Sequence, residues 1–136
     1  MALPESIFAQ LSGDTAVLAA LGISLPATGI VPIYPNRAPD GQALPFVVFQ
    51  FVAGTFDATH NDSGQFEDAL YQFSIYAATY DAARNARKAI VASLQSVTAL
   101  ADGSKLTIEG QRDQYEPEAD AHHLMIEARF FHDPTN

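Results

Sequence analysis

Phe66-Glu67-Asp68-Ala69-Leu70-Tyr71-Gln72-Phe73-Ser74-Ile75-Tyr76-Ala77 runs, through Ala78 and Thr79, into Tyr80-Asp81-Ala82-Ala83-Arg84-Asn85-Ala86-Arg87-Lys88-Ala89-Ile90 and on to Val97. In the first half Ala69, Tyr71, Phe73, Ile75 and Ala77 are apolar while Asp68, Gln72 and Ser74 are polar. A period of two is what a strand with one buried face requires. At Thr79 the period changes. Ala83, Ala86, Ile90, Leu94 and Val97 recur every three or four residues, the stripe of a helix lying on a sheet. Thr79 is placed to cap that helix, and Asp81 in its first turn suits the positive end of the helix dipole. This strand and helix predict the spine of one small α+β domain.

Working backwards, Phe46-Val47-Val48-Phe49-Gln50-Phe51-Val52-Ala53 is the strongest strand signal in the chain, β-branched and aromatic almost throughout. It is apolar on both faces: Val47, Phe49 and Phe51 on one, Phe46, Val48 and Val52 on the other. An antiparallel sheet in a small domain usually leaves one face wet. Either helices cover both faces, or the Phe46, Val48, Val52 face meets another subunit. In the second case Val48→Asp should harm assembly more than folding. Gly54 to Gln65 is polar and turn-rich, with Asp57, His60 and Asp62, and predicts a hairpin tip, flexible over about residues 55–65.

Further towards the N-terminus, Ile23 to Gly41 holds Pro26, Pro32, Pro35 and Pro39, which leave room only for short extended pieces around Ile30, Val31, Ile33 and Tyr34. Before it, Pro4 to Leu11 has helical spacing at Ile7, Phe8 and Leu11. A second short helix, Thr15 to Leu21, has Asp14 as its cap and Gly22 as its stop. Towards the C-terminus, Lys105 to Tyr115 reads as a strand with Leu106 and Ile108 facing in and a bulge at Gly110. Glu116 to Asp120 is an acidic turn. His122 to His132 is the last strand, with Leu124, Ile126, Ala128 and Phe130 on one face, and residues 133–136 form a short tail. The order α-β-β-α-β-β predicts a single domain over residues 1–136: α+β, a mainly antiparallel sheet of four to five strands, helices packed on one face.

The chain has 136 residues, enough for one domain with a substantial core, and 48% of them are apolar. It has no cysteine, which removes disulfides, thiolate metal sites and a Cys nucleophile, and fits a reducing cytoplasm. No apolar run reaches the ~20 residues of a membrane-spanning helix, and Met1 to Glu5 lacks the basic start of a signal peptide. With 16 acidic and 7 basic residues the net charge is −9, the wrong sign for gripping phosphates. Arg84, Arg87 and Lys88 form the one basic cluster. It reads as a solvated helix face, or as a contact for an acidic partner surface.

Catalytic patterns find no support. His122 and His123 are adjacent, so on a strand they point to opposite faces. His60 and Asp62 lack a third ligand, and zinc needs three or four. Glu116, Glu118 and Asp120 sit in a solvated turn, with nothing to desolvate a general acid. No Ser lies in a nucleophile elbow and no Gly-rich phosphate loop occurs. No catalytic residue, metal ligand or cofactor site is assigned.

Several ordered stretches carry a resemblance: Ile33-Tyr34-Pro35, Arg37-Ala38-Pro39, Leu44-Pro45-Phe46-Val47-Val48-Phe49-Gln50, Gly54-Thr55, Thr79-Tyr80-Asp81-Ala82-Ala83-Arg84, Tyr115-Glu116-Pro117-Glu118 and Phe130-Phe131-His132. Over roughly residues 5 to 132 the chain resembles the tail-completion or tail-terminator proteins of long-tailed bacteriophages and gene-transfer particles. The resemblance implies a virion protein without catalysis, assembled in the bacterial cytoplasm. Six subunits would close into a ring on the head-proximal end of the tail tube and end its growth. The ring would offer a docking surface to a head-side neck or stopper protein, and DNA would pass through its bore. Phe46, Val48, Val52, Asp57, His60, Asp62, Arg84, Arg87 and Lys88 are the candidate interface residues. The competing readings are another neck component of similar fold, an adaptor or stopper, and a small hydrolase or nuclease using His122, His123 and Glu127.

Overall fold

The computed structural model describes residues 2–23, 31–57, 66–117 and 121–132. Helices α1 (Leu3–Ser12) and α2 (Thr15–Ala20) lead into strand β1 (Ile33–Pro35), followed by β2 (Phe46–Asp57), β3 (Phe66–Ala77), α3 (Tyr80–Gln95), β4 (Lys105–Glu116) and β5 (Ala121–His132). The five strands form one sheet in the order β1-β2-β3-β5-β4. The β2–β3, β3–β5 and β4–β5 pairs are antiparallel, and β1 lies parallel to β2. The β4–β5 hairpin returns through the middle of the sheet, so α3 crosses over from β3 to the far edge.

Local chemistry sets the boundaries. The Thr79 hydroxyl accepts the Ala82 amide at 3.1 Å at the start of α3, a cap worth about 1 kcal/mol. The Asp14 carboxylate does the same for α2 through the Ala16 amide at 2.9 Å. Gly22, at φ +79°, ends α2: its amide bonds to the Ala19 carbonyl and the Ile23 amide to the Leu18 carbonyl. This paired closure needs a left-handed residue, and glycine takes that conformation without a Cβ penalty.

The core lies between the helices and one face of the sheet. Ala69, Tyr71, Phe73, Ile75 and Ala77 of β3 are all buried there, with Val47 and Phe49 of β2 and Leu124, Ile126, Ala128 and Phe130 of β5. Ala83, Ala86, Ile90 and Leu94 of α3 close over them, joined by Leu3, Ile7 and Leu11 of α1 and Val17 and Leu21 of α2. Full burial of Ile90 and Leu94 contributes about 2 kcal/mol each. All three helices belong to this one layer.

The structure corrects several details of the sequence reading. In α1 the buried positions are Leu3, Ser6, Ile7 and Leu11, while Phe8 is exposed, because Leu3, Ile7 and Leu11 follow four-residue steps along one face and Phe8, one residue past Ile7, is turned about 100° from it. The short extended piece expected around Ile33 and Tyr34 is present as β1, parallel to β2 with Tyr34 opposite Val48. The β2–β3 ladder continues to Asp57 opposite Phe66, so residues 55–57 are paired backbone rather than loop. Residues 58–65, with His60 and Asp62, lie outside the described residues, as do Ile30, Glu118, Asp120 and the tail 133–136.

Candidate assembly surface

Among the described residues no helix covers the second face of the sheet. Its residues follow from the register: Val48 opposite Ser74, Gln50 opposite Gln72, then Ser74 beside Met125, Gln72 beside Glu127 and Leu70 beside Arg129. Only one end of this face is apolar. There Phe46, Tyr76 and His123 stack in a row across three strands, at ring separations of 5.0 and 4.3 Å. Glu116 lies 3.2 Å from His123 Nδ1 and orients the imidazole. Burial first, and then the negative charge of Glu116, holds the Tyr76 phenol above its ordinary range, although a hydrogen bond with Ser74 works the other way.

An arm, residues 36–44, folds over this apolar end. Asn36 at φ 69° and Gly41 at φ 75° make its sharp bends. The Tyr34 hydroxyl donates to Gln42 Oε1 at 2.6 Å and ties the arm to the sheet. Arm and sheet enclose a cleft of about 520 Å³ floored by Phe46, Val48, Gln50, Ser74 and Tyr76. Its polar lining includes the Arg37–Asp40 ion pair on the exposed arm and the hydroxyls of Ser74 and Tyr76 on the sheet.

The other end of the face is charged, and its two arginines pair with three carboxylates of the same chain. Arg129 reaches Glu109 at 2.8 Å and Asp68 at 3.4 Å, and the hydrogen bond it donates to Glu109 contributes most to holding its guanidinium protonated. Arg112 lies 3.9 Å from Glu127. The helix-side face has its own pair at the corresponding end, His132 Nε2 at 2.8 Å from Glu67 Oε1. Burial, then the charge of Glu67, holds the nearby Tyr71 phenol above its usual range.

The nine candidate interface residues separate on this framework. Phe46 and Val48 lie together under the arm, and Val48 is only 8% exposed within a single chain. Val52 leaves their row. It is the extra residue of a bulge between Phe51 and Ala53, and it stands 46% exposed. Asp57 ends β2. Arg84 and Lys88 are exposed on α3 with no ion pair among the described residues. Arg87 is different: its side chain is 13% exposed and its guanidinium donates to the Arg112 carbonyl and to Asp113, pinning α3 to β4. The signal for this was present, since Arg87 lies four residues after Ala83 and three before Ile90, on the flank of the buried stripe. His122 and His123 part as expected, His122 against Tyr80 and Tyr115 and His123 against Tyr76. Among the described residues no three His, Asp or Glu side chains converge as a metal site.

The hydrogen bond from Arg87, with a smaller one from the Tyr80 hydroxyl, holds the Asp113 carboxyl below its ordinary range. A depressed folded-state pKa stabilises the fold above the unfolded value of 3.8 and ceases to do so as pH falls through the folded value. Half of the Asp113 side chain is solvated, so screening limits the effect to under about 1 kcal/mol. Asp113→Asn is expected to lose that much at pH 7 and to flatten the acid side of the stability curve below about pH 4. Urea midpoints across pH test this, and an unchanged acid limb would remove Asp113 from the account.

Comparison with known proteins fits this helix-backed sheet. The family model described as tail completion protein gp17 matches residues 5–133, nearly the whole chain. The chain belongs to that family. Among solved structures, a chain described as from the virion of a native gene transfer agent particle superposes with a TM-score of 0.72, at 18% identity, over 97% of this chain and 95% of that one. At that identity the likeness speaks for the shared fold. No curated protein matches the sequence significantly. Two surfaces stand out on this tail completion protein: the second face of the sheet, apolar under the arm and charged at its other end, and the edges of the sheet.

Proposed function

We propose that this tail completion protein is the tail terminator of a phage or gene-transfer particle. Six copies close into a ring on the head-proximal end of the tail tube, where they stop its polymerisation and present the surface that joins the head-side neck or stopper protein. The family match over residues 5–133 carries this reading, and the structural likeness to a chain from a gene transfer agent virion supports it. The physical chemistry agrees. A net charge of −9 suits a channel through which DNA slides without being held, because like charges repel the phosphates. A ring of identical heterologous contacts ends growth by geometry and needs no catalyst.

The test is to add purified protein to polymerising tail tubes and image the tube ends by negative stain. Rings at one end of tubes of limited length are expected. Protein found only on portal-side assemblies would instead make it an adaptor or stopper, and tubes that grow unchanged beside unbound protein would overturn the terminator reading.

A further inference from the structure

The sheet has two edges, and they differ in character. At one, β1 pairs with Val47–Phe49 of β2 and then stops. Among the described residues no strand covers the outer side of β2 from Gln50 to Asp57. Residues 50–55 are all exposed, with Phe51 at 47%. The Val47 amide bonds outward to the Pro32 carbonyl and the Phe49 carbonyl accepts outward from Asn36, both at 2.9 Å. Continuing that alternation leaves the amide and carbonyl of Phe51 facing outward and, past the bulge, those of Gly54 and Phe56. Open edges are normally blunted by charge or proline. Gln50 to Phe56 contains neither, and it adds two exposed apolar side chains, Phe51 and Val52.

The opposite edge is β4, beyond which no further strand joins the sheet among the described residues. Four of its five charged side chains are engaged within its own subunit, Glu109 with Arg129, Arg112 with Glu127, Asp113 with Arg87 and Glu116 with His123, while Lys105 at its start is exposed. A strand can therefore approach this edge without leaving those charges unpaired. Strand directions also match. β4 is parallel to β3 and so antiparallel to β2. For copies related by rotation about an axis along the strands, β4 of one copy meets β2 of the next in the antiparallel sense.

We propose that the open edge of β2 from Gln50 to Asp57 receives β4 of a second copy, so that the sheet of one subunit continues into the next. The open run is about 27 Å long, eight residues at about 3.4 Å each. Joining two different edges makes the contact head-to-tail, which gives a ring when the rotation between copies closes. The proposal rests on the ring reading above and gives it an interface.

The experiment uses the full chain with tail tubes present. Val52→Lys places a charge on the receiving edge, and Thr55→Lys does so at a second exposed position. Gln111→Pro removes an amide that the alternation places on the outer side of β4. Circular dichroism melts identify the folded variants, and native mass spectrometry reads assembly. Each folded variant alone is expected to lose ring formation at least tenfold. Val52→Lys mixed with Gln111→Pro is expected to give a heterodimer, through the intact β4 of the first and the intact β2 of the second, and no ring. Rings that persist in both lysine variants overturn the β2 assignment. Rings that persist in Gln111→Pro overturn the β4 assignment. An unsubstituted chain that forms no rings even at tube ends overturns the terminator reading and this interface together.

Discussion

Phe73→Ala is expected to cost about 3–5 kcal/mol of folding stability, a large part of the 5–15 kcal/mol a domain of this size has. Phe73 is fully buried at the centre of β3, with β2 on one side and β5 on the other. Its ring lies 6.0 Å from Phe49 and 6.3 Å from Phe130, so all three central strands touch it. Truncation removes the transfer free energy of the ring and leaves a hole that a sheet hydrogen-bonded on both sides cannot close by moving. Phe8→Ala provides the contrast, because Phe8 is exposed on α1 and its loss should cost under about 1 kcal/mol. Urea midpoints of the two variants test the comparison. A Phe73→Ala protein as stable as Phe8→Ala would mean that the core is not centred on β3.

The second large effect concerns Val48. From sequence, a charge at Val48 was expected to spare folding and harm assembly if its face met a neighbour. The structure changes the expectation, because the arm already buries Val48 against Ser74 and Tyr76 within one subunit. Val48→Asp places a carboxylate at a nearly buried position opposite Ser74, in a cleft whose one lining cation, Arg37, is already paired with Asp40, at a cost on the order of 3 kcal/mol. Folding and assembly should fail together. Val52→Asp, on the exposed bulge, should leave the urea midpoint almost unchanged. A Val48→Asp chain that keeps the parental midpoint would show that the arm opens and that this face is free after all.

The alternation of Ala69, Tyr71, Phe73, Ile75 and Ala77 predicted their burial correctly, because each strand position reports its own face and neighbouring strands do not change that parity. The caps at Asp14 and Thr79 and the stop at Gly22 were readable for the same reason: each acts on backbone groups within four residues. Phe51 and Val52 were not readable. Nothing in their identity says that β1 stops opposite Phe49, or that a bulge shifts Val52 out of its row. From sequence, Arg87 reads as part of a solvated helix face or of a contact with an acidic partner. Its spacing hints at the edge of the buried stripe, but its own-chain partner Asp113, 26 residues away, could not be read from it. The Arg129–Asp68 contact spans 61 residues and depends on β5 inserting between β3 and β4.

The sequence by itself determined the elements, their buried faces, the acidic balance and, through ordered short motifs, the family, because these depend on local spacing and summed composition. Strand order, the fold of the arm over Val48, the internal pairing of the charges and the identity of the two open edges were decided only by the tertiary structure. Those depend on which distant segments become neighbours, and many pairings of the same strands would bury the same apolar faces.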